Sequence, residues 1–502
     1  MQHLSLLTTL VVTCYSVVCA QPKSQHQTYV EIGGFVSSNG RTPFWLRANQ
    51  FGIVPYSSPA GTLRIGTNGA VLLTDTAGLY ARKAPSRAWI LSYAAEAVGN
   101  AGKENQLLAP EYYVKLSHRQ IEFVVGRRRE VVGLVDTALT SGSYSWSGNA
   151  IPIPKIQFGT KGFASISRRK WLAINAFIAH GWFANTDYMQ QSFLHQKSVF
   201  FRIGRPKAAL RFYVGLNHNV QWAGHSDSLD YHYAANGQLP GQLRDFPNVL
   251  FNIRTEGLNN PRITSFDYDN LYGNHVGSLD FGFDLRLPWI TLLLYHQHSY
   301  DDSSGIVFFQ NVPDGLSGLR IQPTKRGPSI FHVDGFLLEF LSTLSQSGPI
   351  FDPYTRVFGA DNYFNNRQYQ EGWTYKNRII GTPFITLRQD VKPDYRTNTN
   401  WTVGNNRVQV VHVALRATVA QQMKLMAKFS YGKNYGIPMQ PLVNTPVQFS
   451  SLVQLGVPLS WLGGTLLTAS VAADFGELYT NSTGAYIGLR KTVWGQLGRR
   501  SD

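Results

Sequence analysis

Large apolar side chains alternate with polar or small ones along several stretches of this chain. Leu279, Phe281, Phe283, Leu285 and Leu287 fall on one side of an extended backbone, with Asp280, Gly282, Asp284 and Arg286 on the other. Leu210, Phe212, Val214 and Leu216 alternate with Arg211, Tyr213, Gly215 and Asn217. Met423, Leu425, Ala427, Phe429 and Tyr431 do so less cleanly with Lys424, Met426, Lys428, Ser430 and Gly432. A period of two marks β-strands, whose successive side chains leave opposite faces of the pleat. The same reading places strands near 62–74, 87–98, 109–117, 119–128, 154–167, 171–182, 197–205, 289–299, 329–341, 376–388, 406–419, 447–458, 464–474 and 484–494. Two long intervals, about 218–278 and about 342–405, lack sustained alternation and are rich in Asn, Asp, Gly, Tyr and Arg. Long irregular stretches in a compact protein are usually functional.

Strands with one apolar and one polar face suit either a half-buried soluble sandwich or a membrane barrel with lipid outside and water inside. Composition separates the two. Only 15% of the residues are charged, against about 25% in a soluble domain. Mean hydropathy is −0.17, too low for a bundle of membrane helices, and 13% aromatic residues leave too much to bury for a disordered chain. The expected fold is therefore all-β: a transmembrane antiparallel β-barrel of about 16–18 strands with long extracellular loops.

Residues 1–20 carry no acidic or basic side chain, and Val18-Cys19-Ala20 before Gln21 has the small-residue pattern of a signal-peptidase site. Three parts are expected: a signal peptide (1–20), an N-terminal periplasmic or plug segment (21–61) and the barrel (62–502). Export through a cleaved signal places such a barrel in the outer membrane of a Gram-negative bacterium. Both cysteines, Cys14 and Cys19, leave with the signal, which excludes disulfides and cysteine-ligated metal.

The net charge of +16 lies wholly in the mature chain. Its clusters, Arg127-Arg128-Arg129, Arg168-Arg169-Lys170 and Arg499-Arg500, are expected at strand ends or turns that face water and lipid phosphates. Outer-membrane lipids and lipopolysaccharide are accordingly expected partners, and nucleic acid is not. Arg211 and Arg286 fall on the lumen side of their strands. Motifs for chemistry are thin. His296 and His298 share one face, taken as the lumen face, but have no third ligand at helpful spacing. Asp301-Asp302-Ser303 lacks the glycine-and-acid pattern of a calcium loop, and no G-x-S-x-G elbow is present. The reading is non-enzymatic, with no metal and no cofactor.

Sugars offer apolar C–H faces that stack on aromatic rings and hydroxyls that pair with Asp, Asn and Arg. Asp267-Tyr268-Asp269-Asn270, Asp361-Asn362-Tyr363-Phe364 and Glu371-Gly372-Trp373-Thr374-Tyr375 interleave those types. An interfacial aromatic girdle with well-capped turns would use the same residues, and composition alone leaves both readings open.

The run Thr42-Pro43-Phe44-Trp45-Leu46-Arg47-Ala48-Asn49-Gln50-Phe51-Gly52 resembles the opening signature of the Wzi-type capsule-assembly family, in its Bacteroidetes-like branch. The resemblance continues through Gly126-Arg127-Arg128-Arg129-Glu130, Ser147-Gly148-Asn149-Ala150-Ile151-Pro152, His218-Asn219-Val220-Gln221-Trp222-Ala223-Gly224 and Asn274-His275-Val276-Gly277. Gly359-Ala360-Asp361-Asn362-Tyr363-Phe364, Gly372-Trp373-Thr374-Tyr375 and Gly381-Thr382-Pro383-Phe384 extend it in order over most of the mature chain. It implies a barrel of about eighteen strands, an N-terminal periplasmic helical element and a lectin-like role holding capsular or exopolysaccharide. The candidate contacts are Trp222, Asp267, Tyr268, Asp269, Asn270, Asp361, Asn362, Tyr363, Trp373 and Tyr375, and the +16 charge favours an acidic glycan. A porin-like channel, whose basic lumen (Arg211, Arg286) favours anionic solutes, is the alternative. An enzyme acting on lipid or glycan has no local motif behind it. No pattern along the chain specifies the sugar or an oligomeric state.

Overall fold

The computed structural model describes residues 25–73, 88–254, 262–301, 309–325, 329–348, 359–396 and 400–495; the expected signal peptide and Arg499-Arg500 lie outside them. Eighteen strands form the wall. The first nine are β1 (Gln25–Ser37), β2 (Ala60–Leu72), β3 (Trp89–Gly102), β4 (Gln106–His118), β5 (Ile121–Arg127), β6 (Lys155–Thr160, continued by Ala164–Ser165), β7 (Leu172–Trp182), β8 (Phe193–Ile203) and β9 (Leu210–Trp222). The second nine are β10 (Asn274–Arg286), β11 (Ile290–Tyr300), β12 (Gly315–Pro323), β13 (Phe331–Ser342), β14 (Val408–Val419), β15 (Met423–Asn434), β16 (Val447–Leu459), β17 (Thr465–Gly476) and β18 (Ser482–Gly495). Each pairs antiparallel with its neighbours, and β1 pairs with β18 from Gln27↔Gly495 to Ser37↔Gly484, so the ladder closes without an edge. Among the described residues no helix is long and apolar enough to cross a membrane.

Alternation decides which face is which. Phe281, Leu294, Leu338 and Val411 point outward and are exposed, whereas Asp280, Gln297 and Glu339 point inward and are buried. An apolar exterior around a polar interior is the arrangement lipid and water impose on a spanning barrel. The connections at one end are long (38–59, 128–154, 223–273, 343–407), except 103–105 and 477–481. At the other most are short (119–120, 204–209, 287–289, 420–422), 73–88 and 161–171 being longer, and both ends of the barrel chain lie there. In such barrels short turns are periplasmic and long loops extracellular.

The wall departs from the expected strands in three places. Segment 21–61 divides: Gln25–Ser37 is wall strand β1, and only 38–59 turns inward. Strand β1 carries Phe35 inward and Ile32 and Val36 outward, so both faces hold large apolar residues and the alternation is blurred. Strand β12 was not expected because Gly315 and Gly318 interrupt it; Gly318 leaves the space that the Tyr295 ring fills. Conversely, the strand expected at 376–388 is an inserted segment in which only Thr386–Leu387 is extended, paired with Val403–Asn405. Its run of apolar residues packs on all sides, with Ile379, Ile380 and Ile385 against Trp146 and Trp373. The N-terminal element has one four-residue helix among the described residues, Phe44–Arg47, and it sits against the inner wall beside Phe35, Leu452 and Ala472.

The long connections 38–59, 128–154 and 359–396 fold into the lumen, and inward side chains of the wall hold their backbones. Asp474 accepts from Phe44 N at 2.7 Å, Asp280 from Leu134 N at 2.7 Å and Gln297 from Tyr144 N at 3.0 Å. Glu339 accepts from Ser141 N at 2.6 Å and Thr140 Oγ1 at 2.7 Å, and Tyr295 also donates to it. His412 bonds the Leu139 carbonyl at 2.9 Å. His296 and His298 face away from this interior: His296 stands opposite outward Phe281 across the ladder, two residues from outward Leu294. The lumen-facing expectation for them fails because register places Tyr295 and Gln297, not the histidines, inside.

Removing one end of a buried charged network leaves its donors unpaired, at a cost of about 3 kcal/mol. Glu339→Ala should therefore release segment 128–154 to protease while the wall stays folded, and Glu339→Gln should do so less. Unchanged protease resistance in Glu339→Ala would show that the carboxylate does not hold the insert.

Candidate functional site

At the long-loop mouth the two irregular intervals meet. Gln368 Nε2 donates to Asp267 Oδ1 at 2.8 Å and to the Tyr233 carbonyl at 2.9 Å, and Tyr369 Oη donates to the Ala223 carbonyl at 2.9 Å. Tyr188 donates to the Gln368 carbonyl at 3.2 Å, and Thr186 to Glu371 at 2.7 Å. Beneath these bonds Met189, Leu229, Leu239 and Tyr369 form a small apolar core. The sequence motifs between 359 and 375 therefore tie one loop to another as well as presenting a surface.

The expected contact residues separate into two groups. Trp373 is wholly buried, donates from Nε1 to the Ser145 carbonyl at 2.8 Å, and packs beside Trp146 and Phe183. Tyr363 is wholly buried, accepting from Asn311 at 2.7 Å and donating to Asp314 at 3.1 Å; burial, with Asp314 beside it, pushes its phenol well above the usual value. Tyr375 is buried and accepts from the Arg127 guanidinium at 3.2 Å. Trp222 is buried on the outward side of β9, against Phe193 and Phe246. Asp267 caps the five-residue helix Ser265–Asp269 in a capping box with Thr264, and burial pushes its carboxyl up.

The second group reaches solvent. Tyr268 and Asp269 are exposed on that helix, with Asn270 half-buried after it. Asp361 and Asn362 are half-buried; Ser347 donates to Asp361 at 2.6 Å and Asn406 to Asn362 at 2.6 Å. The structure adds groups that sequence reading missed. Tyr231 is 72% exposed, and the exposed Arg367 guanidinium lies over the Trp401 ring at 4.9 Å. No alternation or spacing marks Trp401, since its partner is 34 residues away in the fold's own loop packing.

Charge is distributed unevenly between the two ends. Arg119, Lys161, Arg168, Arg169, Lys170, Arg205, Lys207 and Lys325 are all exposed in the short turns, and no acidic residue lies in those turns among the described residues. The outer loops instead mix signs: Arg367 and Lys376 with Asp187, Asp227, Asp230 and Asp269. Among the described residues the one-signed surplus of exposed cations therefore lies in the short turns and not at the outer mouth. Arg127-Arg128-Arg129 meets its expectation only in part: Arg127 ends β5 opposite exposed Tyr112, whereas Arg128 and Arg129 turn into the barrel. Arg128 pairs with Glu122 at 3.0 Å and with Glu130, and Arg129 with Glu96 at 2.6 Å. Lys155 completes the set on Glu130 at 2.6 Å. Of these, Glu122, Arg128, Arg129 and Glu130 border a cavity of about 620 Å³ between the insert and wall strands β5–β8, also lined by Phe51, Gln157 and Phe200. Arg211 is paired with Asp284 inside the lumen, and Arg286 is exposed at the short-turn rim. Among the described residues no cluster of His, Cys, Asp and Glu could hold a metal.

A family model described as capsule assembly protein Wzi matches residues 74–412. No curated protein sequence matches the chain. Among solved structures, Escherichia coli Wzi is similar over 92% of this chain and 84% of its own, with a TM-score of 0.57 and 13% identity. It is described as an outer membrane protein involved in group 1 capsule assembly and a carbohydrate-binding β-barrel. Acinetobacter baumannii OccAB4 covers 94% of this chain and 98% of its own, at a TM-score of 0.45 and 9% identity. Pseudomonas aeruginosa OpdQ covers 94% and 100%, at 0.46 and 7%.

The ion cluster under the insert sets a pH dependence. Burial alone would raise the Glu130 carboxyl, but Lys155 and Arg128 outweigh it and hold it below its ordinary 4.5. A depressed carboxyl stabilises the fold above its unfolded value and loses that contribution as pH falls through the folded one. Acid titration of protease resistance in segment 128–154 should thus fall below about pH 4.5, and Glu130→Gln should flatten that acid limb. Parallel acid limbs in the two proteins would count against the cluster as the cause.

Proposed function

We propose that this chain, which belongs to the Wzi capsule assembly family, holds capsular or exopolysaccharide at the outer surface of a Gram-negative cell without turning it over. The observation that carries this reading is the mouth itself. Two long loops are locked together over an occupied lumen, with aromatic rings and amide, carboxylate and guanidinium groups left facing water. The Escherichia coli barrel of similar fold is described as carbohydrate-binding, which supports carrying that role to this mouth.

The contacts we assign are Tyr268, Asp269 and Asn270 with Tyr231 and the Arg367–Trp401 stack; Asp361 and Asn362 flank them. Trp373, Tyr363, Tyr375 and Asp267 serve this reading by positioning the loops, and Trp222 by fixing the rim. A stack of ring on sugar contributes about 1 kcal/mol. Such contacts are weak singly, and a repeating polymer multiplies them because each further repeat binds at high effective concentration.

What weighs against a porin-like channel is the use of its lumen. Wall carboxylates that would line a water column instead bind inserted backbone, and Arg211 is neutralised by Asp284. Single barrels in a planar bilayer should therefore conduct far less than an open barrel of this strand count. A large, anion-selective conductance in the wild-type protein would overturn the occupied-lumen reading.

The glycan role is tested by retention of purified capsule on cells, normalised to surface-labelled barrel. Tyr268→Ala combined with Trp401→Ala should lower retention about tenfold, whereas Trp373→Phe should leave it near wild type. Equal retention in the double variant would sink this choice of surface.

A further inference from the structure

The outer wall of β6–β9 breaks the rule that lipid-facing positions are plainly apolar. A groove of about 440 Å³ runs over it, walled by outward Phe158, Ile178, Val199 and Leu216 and floored by Gly159 and Ala176. These small residues, on the adjacent strands β6 and β7, leave a slot between the larger outward side chains. Its upper end is Lys197, an outward position one pleat nearer the long loops than Val199 and directly opposite His218 in the ladder.

Above Lys197 histidines stand at outward positions among apolar ones. His180 faces His195 across β7 and β8, and His218 bonds His275 at 2.9 Å. His195 is fully buried, and neither ring nitrogen has a hydrogen-bond partner in the protein; His218 Nδ1 and Trp222 Nε1 also lack one. Buried polar groups are ordinarily satisfied, so several unsatisfied ones in one place point to a partner.

The cover over them is slight. Helix Phe246–Phe251 lays Phe246 against His195 at 5.3 Å and Trp222 at 5.5 Å, and Lys197 donates to the Leu250 carbonyl. On its far side Leu243, Phe251 and Ile253 are 87%, 65% and 50% exposed, beside exposed Arg244 and Arg254. Exposed apolar side chains interspersed with arginines suit the boundary between acyl chains and anionic headgroups. The carboxylate on this segment, Asp245, is buried and paired with Arg262. None of the groove's lining residues is acidic.

We propose that this wall binds a phosphorylated, acylated saccharide lipid of the outer leaflet. The groove takes one acyl chain, and Lys197 with the His195 and His218 imidazoles takes the phosphate and sugar hydroxyls. The short helix moves aside, its exposed apolar residues remaining in the lipid. The site lies on the outside of the barrel, so this goes beyond the glycan reading of the mouth and does not depend on it.

The test uses the full-length barrel in detergent and native mass spectrometry. Bisphosphorylated lipid A, lipid A stripped of its phosphates, and phosphatidylcholine are added in turn. Wild-type protein should hold the bisphosphorylated lipid at about fivefold higher occupancy than either of the others, the worth of one cation beside an anionic headgroup. Lys197→Ala should remove that preference, and Ala176→Phe, which fills the groove from a lipid-facing position, should lower occupancy of the same lipid. Equal occupancy of the three lipids by wild type overturns the proposal, and so does unchanged occupancy in both variants. The wild-type comparison needs no variant to fold, and heat-modifiable gel mobility verifies that the variants have. Trp401→Ala should keep the lipid, so failure of this site and failure of the glycan surface read out separately.

Discussion

A closed strand ladder places half of its side chains inside, and the polar ones must be satisfied there. Asp280, Gln297, Glu339, His412 and Asp474 are all buried, and each finds its partner on an inserted segment rather than across the wall alone. Unpaired, such groups would each cost a few kcal/mol. The wall and the insert are therefore one structure: the insert satisfies the interior, and the interior fixes the insert. Everything at the mouth inherits its position from this arrangement, because the loops that carry Tyr268, Arg367 and Trp401 are continuations of, or are bonded to, segments held that way.

The two ends of the barrel have different physical characters as a result. At the short-turn end exposed lysines and arginines stand near Trp171, Trp289 and Trp461, which are 50%, 67% and 77% exposed. Tryptophans at that level suit a bilayer interface, and cations beside them suit lipid phosphates. The long-loop end has mixed charge and a surface of rings and amides. Exposed cations beside tryptophans at one end and a mixed-charge surface of rings and amides at the other are thus separated by the length of the barrel. The lateral wall adds a third surface, where polar residues appear at outward positions and a short helix covers them.

Much of the wall was legible in the residues. Period-two alternation at 210–216 and 279–286 falls within β9 and β10 with the same faces inside and outside. It failed where the interior is not watery: Phe35 in β1 and Gly318 in β12 blur the pattern because their inner neighbours are protein. It overreached at 376–388, where a segment buried on every side resembles a strand. The mouth was legible only in part. The motifs around Asp267 and Asp361 do lie in the loops that meet there, but Trp373 and Tyr363 proved to be core, since an aromatic ring in a polar sequence looks the same whether it faces sugar or another ring.

By itself the sequence determined most of the wall strands, the faces of the cleanly alternating ones and the position of the two longest loops, because these follow from local periodicity and its interruptions. It could not determine which long loops turn inward, since that depends on acceptors contributed by strands far away in the chain. Glu339 meets Ser141, and Asp474 meets Phe44, across separations of 198 and 430 residues. Only the closed tertiary structure brings them within bonding distance. That same closure left a surplus of exposed cations at the short-turn rim, and at the mouth a surface of mixed charge with Tyr231, Tyr268 and Trp401.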